Sequence, residues 1–297
     1  MDSTLTRRTL LVGTAAAAVT AALPAATSWA DGRGFTDLEA RYRLRIGVYA
    51  RDLETGQVIA HRPNAVFPML STFKVLAVAA VLRGDLVTPD PHVLDRRVFI
   101  PPASVVENSP FVADQVARGE APTVRQLCVA ALQRSDNTAG NLLTAMIGGP
   151  AAVTRQARRL GDDVTRLDRW EPELNSAEPD RVTDTTTPRA IGTDYAKLLR
   201  GDGLRPQQRR QLRTWMLGNT TSTARLGAAL PPGWTLADKT GGGAYATNHD
   251  VGIAYRPDGS AVLVSVLTRS DDASATSDNA VIREIGTRIF AALPGRR

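Results

Sequence analysis

The sequence predicts an α+β fold: an antiparallel sheet built from both termini with flanking helices, plus an inserted all-helical domain. Three observations carry this expectation. Strand-like runs occupy both ends of the chain, helical periodicities fill its middle, and the final segment is an amphipathic helix able to cover a sheet. A chain of 297 residues that is 43% hydrophobic buries a sizeable core, as one large or two ordinary domains.

At the start, Thr6-Arg7-Arg8-Thr9-Leu10-Leu11 precedes an Ala-rich apolar run ending at Ser28-Trp29-Ala30, a small-x-small cleavage pattern. Residues 1–30 read as a signal peptide of twin-arginine appearance, so the mature chain begins near Asp31 and works outside the cytoplasm, in a periplasm or the medium. No cysteine follows the run and no later apolar stretch is long enough to span a bilayer, so no stable membrane association is expected.

Ile46-Gly47-Val48-Tyr49-Ala50 and Val58-Ile59-Ala60 flank Asp52-Leu53-Glu54-Thr55-Gly56, a β-hairpin. A similar pair, residues 251–255 and 261–267, brackets Pro257-Asp258-Gly259. Between these ends, residues 74–82 are apolar after Lys74 and predict a buried helix. Val124, Leu127, Cys128, Ala131 and Leu132 share one face of another. Further helices are expected over 142–147, 188–199 and 206–217, and Val281, Ile282, Ile285, Ile289 and Phe290 form the apolar face of the last. The implied division is an α/β domain of residues 31–66 and 218–297 around a helical domain of residues 67–217. A site at their junction is the default expectation.

Composition narrows the chemistry. One cysteine, Cys128, excludes an internal disulfide, and three scattered histidines leave little for a Cys/His metal site, so no metal and no cofactor is expected. The net charge of +6 is no nucleic-acid footprint, because arginine is spread along the chain and interleaved with acids. Arg155 to Arg159 and Arg205 to Arg213 read as wet faces of amphipathic helices. Only Lys74, Lys197 and Lys239 are lysines among 36 basic residues, which makes each one noticeable.

Two of them sit in motifs. Ser71-Thr72-Phe73-Lys74 opens the buried helix, and residues three apart share a helix face, so an ammonium lies beside a hydroxyl at the positive helix end. Alone, the string also fits an N-cap serine and a surface lysine. Ser135-Asp136-Asn137, between two helices, reads by itself as a turn and N-cap. Lys239-Thr240-Gly241-Gly242-Gly243 follows the strand-like residues 234–238 and reads as a Gly-rich turn, in which Gly241 and Gly242 let a substrate lie against backbone N–H groups.

Together the three strings resemble the S-x-x-K, S-D-N and K-T-G set of the penicillin-recognising serine enzymes. Arg169-Trp170-Glu171-Pro172-Glu173-Leu174-Asn175, followed by Asp184-Thr185-Thr186, is similar to the Ω loop of class A β-lactamases, and the resemblance covers essentially the whole mature chain. It implies hydrolysis of the β-lactam amide of penicillin- or cephalosporin-type antibiotics through a serine acyl-enzyme, and hence antibiotic resistance. The implied partner is a small-molecule β-lactam, with no nucleic acid, and the chain is expected to be a monomer.

By this resemblance Ser71 is the nucleophile. Lys74, or Glu171 through a bound water, is the base for acylation. Ser135 passes a proton to the lactam nitrogen, bridging from Lys74 and Lys239. The Ser71 and Gly242 N–H groups form the oxyanion hole, and Asn137 holds the acylamino side chain. Glu171 and Asn175 hold the hydrolytic water, while the Arg169–Asp184 pair pins the loop ends. Lys239, Thr240 and an arginine grip the substrate carboxylate. Arg225 is assigned to that contact, because the strand after K-T-G offers Asn248-His249-Asp250 instead. Asn108 stands where an aromatic usually lines the mouth, the stretch from Phe111 to Pro122 is about two residues longer than usual, and Leu70 precedes the nucleophile where Cys, Met or Thr is common. With Cys128 alone, the disulfide typical of class A carbapenemases cannot form. A D-alanyl-D-alanine peptidase or a β-lactam sensor would share three motifs; Glu171 and Asn175 argue against the first, and the absence of an anchor against the second.

Overall fold

The computed structural model describes residues 34–294, so the proposed signal peptide lies outside the described residues. The chain begins with α1 (Thr36–Tyr42), β1 (Arg45–Asp52), β2 (Val58–His61), β3 (Phe67–Pro68) and α2 (Phe73–Arg83). It continues through α3 (Pro110–Ala117), α4 (Val124–Gln133), α5 (Asn137–Met146), α6 (Pro150–Arg159), β4 (Thr185–Thr186), α7 (Pro188–Leu199) and α8 (Pro206–Leu217). It ends with β5 (Thr235–Gly242), β6 (Asn248–Tyr255), β7 (Ala261–Arg269) and α9 (Asn279–Ala292).

The main sheet has the order β2-β1-β7-β6-β5 and is antiparallel throughout, with Val48 opposite Val266 where the two ends of the chain meet. Side chains alternate across it. Ile46, Val48, Val262, Val264 and Val266 enter one core with the predicted apolar stripe of α9 and with Phe35 and Leu38. Tyr49, Val251, Ile253, Leu263 and Leu267 enter the other core. Both faces are covered, which is why every residue of β6 and β7 is buried.

Helix α2 is apolar all round because it is surrounded: residues 73–81 are all buried, and α4, α5, α6 and α8 pack on it. The expected stripe of α4 is buried, and a capping box of Thr123 and Gln126 starts that helix. Asp136, Thr187 and Asp278 cap α5, α7 and α9.

Three features depart from the sequence reading. Helices α1 and α3 carry no sequence expectation; α3 buries only Val112 and Gln115, too narrow a stripe to register as periodic. Helix α7 lies within the range read as helical domain yet packs on β7, β6 and β1. The K-T-G segment is strand rather than turn, because backbone pairing with β6 continues to Gly242 opposite Asn248 and holds the glycines in the pleat. No helix among the described residues is long and apolar enough to cross a membrane.

Candidate active site

The sharp turn Leu70–Thr72 leads into α2 and places Ser71 at its positive end, with Leu70 in the left-handed region at φ 48°. Three hydrogen bonds steady this turn. Met69 N donates to Asp184 O at 2.7 Å, Tyr195 Oη donates to Thr72 O at 2.8 Å, and His249 Nε2 lies 2.7 Å from Pro68 O. Thr268 N donates to His249 Nδ1, so the ring is neutral with its proton on Nε2; burial holds its pKa down at about 4.

Lys74 Nζ reaches across the turn. It lies 2.9 Å from Ser71 Oγ, 2.9 Å from Glu171 Oε1, 2.7 Å from Ser135 O and 2.7 Å from Asn137 Oδ1. A charged ammonium has three protons for these four acceptors, so its bonds compete. Ser71 Oγ in turn donates to Glu171 Oε1 at 3.1 Å. Neither Lys74 nor Glu171 has exposed side-chain surface. Burial lowers the Lys74 pKa, against the pull of the Glu171 and Asp136 charges. Lys74 can thread past α5 only because Gly140 lacks a side chain: a Cβ there would lie 2.7 Å from Lys74 Cε.

The S-D-N string divides its work. Ser135, at φ 57°, presents Oγ to Lys239 Nζ at 3.0 Å. Asp136 accepts from Ala139 N through one oxygen and from Phe111 N and Val112 N through the other, tying α3 to α5. Asn137 accepts from Lys74 and donates to Glu107 O. The expected bridge from both lysines to the Ser135 hydroxyl is half present. Lys239 makes it, whereas Lys74 meets the Ser135 carbonyl, because the left-handed turn directs that carbonyl at the Lys74 ammonium.

On the Ω loop, Arg169 Nε donates to Asp184 Oδ2 at 2.6 Å, and Asp184 Oδ1 accepts from the Asp168 and Arg169 N–H groups. Asn175 Nδ2 donates to Glu171 Oε2. Asn141, which the sequence reading missed, accepts from Glu171 N at 3.0 Å and donates to Glu171 O at 2.8 Å, fixing the loop backbone at the carboxylate. Its only signal was its place one helical turn after Asn137.

Strand β5 forms the opposite wall. Lys239 is fully buried, and burial with the nearby Lys74 and Arg225 charges pushes its pKa well down, against Asp238 and Asp250. The Thr240 hydroxyl pairs with that of Thr221. Arg225 Nη1 donates to His249 O at 2.9 Å and Gly241 O at 3.2 Å, and Nε to Asn279 Oδ1. Its Nη2 lies 4.0 Å from where a Cβ on Gly242 would stand, at the edge of the K-T-G strand. Gly241 sits where a Cβ would come 3.0 Å from Leu70 Cβ, so glycine lets β5 approach the nucleophile turn.

Asn137, Asn175 and Gly242 line a cleft of about 430 Å³ together with Glu107 and Asn108, and hydrogen bonds join Ser71, Lys74, Glu171, Asn175 and Asn137 in one cluster and Ser135 to Lys239 beside it. A larger cleft of about 770 Å³ between Arg83, Arg159, Lys197 and Arg205 lies away from this cluster, and none of its lining residues is one of the predicted nucleophile, base or carboxylate-binding groups. Among the described residues no group of three or more His, Cys, Asp or Glu side chains could hold a metal ion. A nucleophile flanked by a buried ammonium and a buried carboxylate, facing a strand edge with two further cations, suits acyl transfer from a carboxylate-bearing amide.

The sequence profile described as "Beta-lactamase enzyme family" matches residues 33–293. A β-lactamase of Streptomyces lavendulae is 48% identical, the alignment covering 97% of each chain. The solved β-lactamase of Streptomyces albus G superposes with a TM-score of 0.84 at 44% identity, over 89% of this chain and 98% of that one. A class A β-lactamase from Clostridium kluyveri gives 0.83 at 35% identity, over 89% and 98%.

Proposed function

Since the chain belongs to the Beta-lactamase enzyme family, as a class A serine β-lactamase that hydrolyses β-lactam antibiotics and confers resistance to them, we propose how its residues divide the reaction. Ser71 Oγ attacks the lactam carbonyl, and the Ser71 and Gly242 N–H groups receive the developing oxyanion, each donor contributing about 3–4 kcal/mol. The observation that carries this reading is the convergence of Lys74 Nζ and Glu171 Oε1 on that one hydroxyl, at 2.9 and 3.1 Å.

Charged Lys74 has no lone pair, so in that form the Ser71 proton passes to Glu171; neutral Lys74 is the alternative acceptor. The C–N bond breaks as Ser135 Oγ delivers a proton to the departing nitrogen, with Lys239 as its hydrogen-bond neighbour. For deacylation a water enters between Glu171 and the ester carbon, oriented by Asn175, and Glu171 takes its proton. Asn137 turns its amide from Lys74 toward the substrate's acylamino group, and Lys239, Thr240 and Arg225 grip the carboxylate while Gly241 and Gly242 let it lie close.

We extend the proposal to penicillins and cephalosporins as substrates, to a monomer, and to export by the twin-arginine route on the strength of Arg7-Arg8 and the following apolar run. The test is a chromogenic cephalosporin added to purified mature protein. Steady turnover after the first equivalent is expected. A burst of one equivalent followed by nothing would overturn the assignment of a deacylating Glu171.

A further inference from the structure

Helix α7 carries two adjacent buried polar side chains. Tyr195 fastens the helix to Thr72, beside the nucleophile. Asp194 has no exposed surface, and neither of its carboxyl oxygens meets an N–H or O–H donor. Asp162, at the root of the Ω loop, lines a cleft of about 360 Å³ with Asp194. Asp162 Oδ1 accepts from Val164 N at 2.7 Å and Thr165 N at 3.0 Å, while Oδ2 is buried without a donor. The charged groups acting on Asp194 are Asp162, Lys197 from α7 and Arg158 from α6, and Asp163 and Arg189 line the same cleft. Both cations bind elsewhere: Arg158 Nη1 donates to Asp162 O and Thr165 O, and Lys197 Nζ to Leu160 O. Three buried carboxyl oxygens with no donor cannot all belong to ionised groups, and a single proton between the two side chains pairs one oxygen of each.

We propose that Asp194 is held as a neutral carboxylic acid donating to Asp162, and that this shared proton makes it a positioning residue for the Ω loop and thus for Glu171. The proposal rests on the reading of Glu171 as deacylation base. The connection is physical. Asp162 caps residues 164 and 165, Thr165 Oγ1 pairs with Thr186 Oγ1, and Arg166 N donates to Thr185 O; Asp168, Arg169 and Asp184 then hold the loop up to Glu171. Ionising Asp194 would set two negative charges in contact at the start of that chain, while Ser71 and Lys74 stay fixed around α2. Burial and the Asp162 charge raise the Asp194 pKa to about 9, against Lys197 and Arg158, so the loss belongs to mild alkali.

The test follows acylation and deacylation separately in wild type, Asp194→Asn and Asp194→Ala from pH 6 to 10. Wild-type deacylation should fall several-fold around pH 9, and acylation should fall with it where Glu171 takes the Ser71 proton. Asparagine donates from the same shape without titrating, so Asp194→Asn should keep the neutral-pH rate and lose the alkaline limb. Asp194→Ala should slow deacylation about tenfold at every pH. A limb identical in wild type and Asp194→Asn overturns the proposal. Carboxyl ¹³C resonances of the uncomplexed wild-type protein provide a readout that needs no variant and no substrate. Asp194 titrating above pH 7 supports the shared proton, and Asp194 already ionised at pH 6 overturns it. A failure of the Glu171 role would register separately, as wild-type turnover by Glu171→Ala.

Discussion

Lys74 and Lys239 are both fully buried and close enough for their charges to interact, and they keep opposite company. Lys74 has a carboxylate at 2.9 Å, so the charge of Glu171 offsets part of the cost of burial. Lys239 bonds only to the Ser135 hydroxyl and the Thr240 carbonyl, and Lys74 and Arg225 push its proton affinity further down. Asp238 and Asp250 oppose this only in part, because burial raises the pKa of both and the Asp238 neighbour raises that of Asp250 further. Equal burial therefore yields two kinds of ammonium. One is complete before substrate arrives, and the other lacks the anion that a substrate carboxylate would supply. The first suits proton traffic, the second recognition.

The harshest way to break this contrast is Glu171→Ala, which takes the carboxylate from the first lysine. Turnover should fall about 10²- to 10⁴-fold, the range of general-base catalysis, with one equivalent of acyl-enzyme visible by mass spectrometry. Wild-type turnover would remove Glu171 from the chemistry and leave Lys74 without a working partner.

A smaller effect belongs to the second lysine's neighbourhood. Arg225→Ala removes one donor to a charged group, worth about 1.5–3 kcal/mol, so KM for penicillins should rise about 10- to 100-fold with kcat little changed. An unchanged KM would take Arg225 out of the carboxylate grip. The same neighbourhood gives a pH signature: a bound carboxylate raises the depressed Lys239 pKa, so binding takes up a proton and KM should climb with pH. Lys239→Arg, charged at every working pH, should flatten that climb.

The smallest effect is on stability and concerns the scaffold under both lysines. His249 titrates at about 4 when folded and near 6.5 when unfolded, so the unfolded chain binds more protons between those values. Stability should then be complete above pH 6.5 and decline as pH falls through about 4, measured by chemical denaturation. His249→Gln should lack that slope; retention of it would place the acid-sensitive group elsewhere.

Much of this was legible in the sequence. The sheet from both ends, the buried α2 and the stripes of α4 and α9 follow from periodicity, scarce lysines mark two of the motifs, and the remaining motif residues follow from the family resemblance. Helix α3 was not, because two buried residues make no period, and K-T-G read as a turn because glycine's local preference was visible while its pairing with β6 was not. Gly140, Tyr195 and His249 act through contacts with residues distant in the chain, and nothing local marks them, while the one local mark of Asn141 is its place a turn after Asn137.

What the sequence by itself determined was which groups could do chemistry and which elements would carry them, since residue type and periodicity are local properties. Only the tertiary structure decided what each group faces. Lys74 meets Glu171 and the Ser135 carbonyl, Lys239 meets the Ser135 hydroxyl, and Asp194 meets Asp162. Proton affinity in a buried site depends on desolvation and on charges a few ångströms away, and both are fixed by packing between segments that lie far apart in the chain.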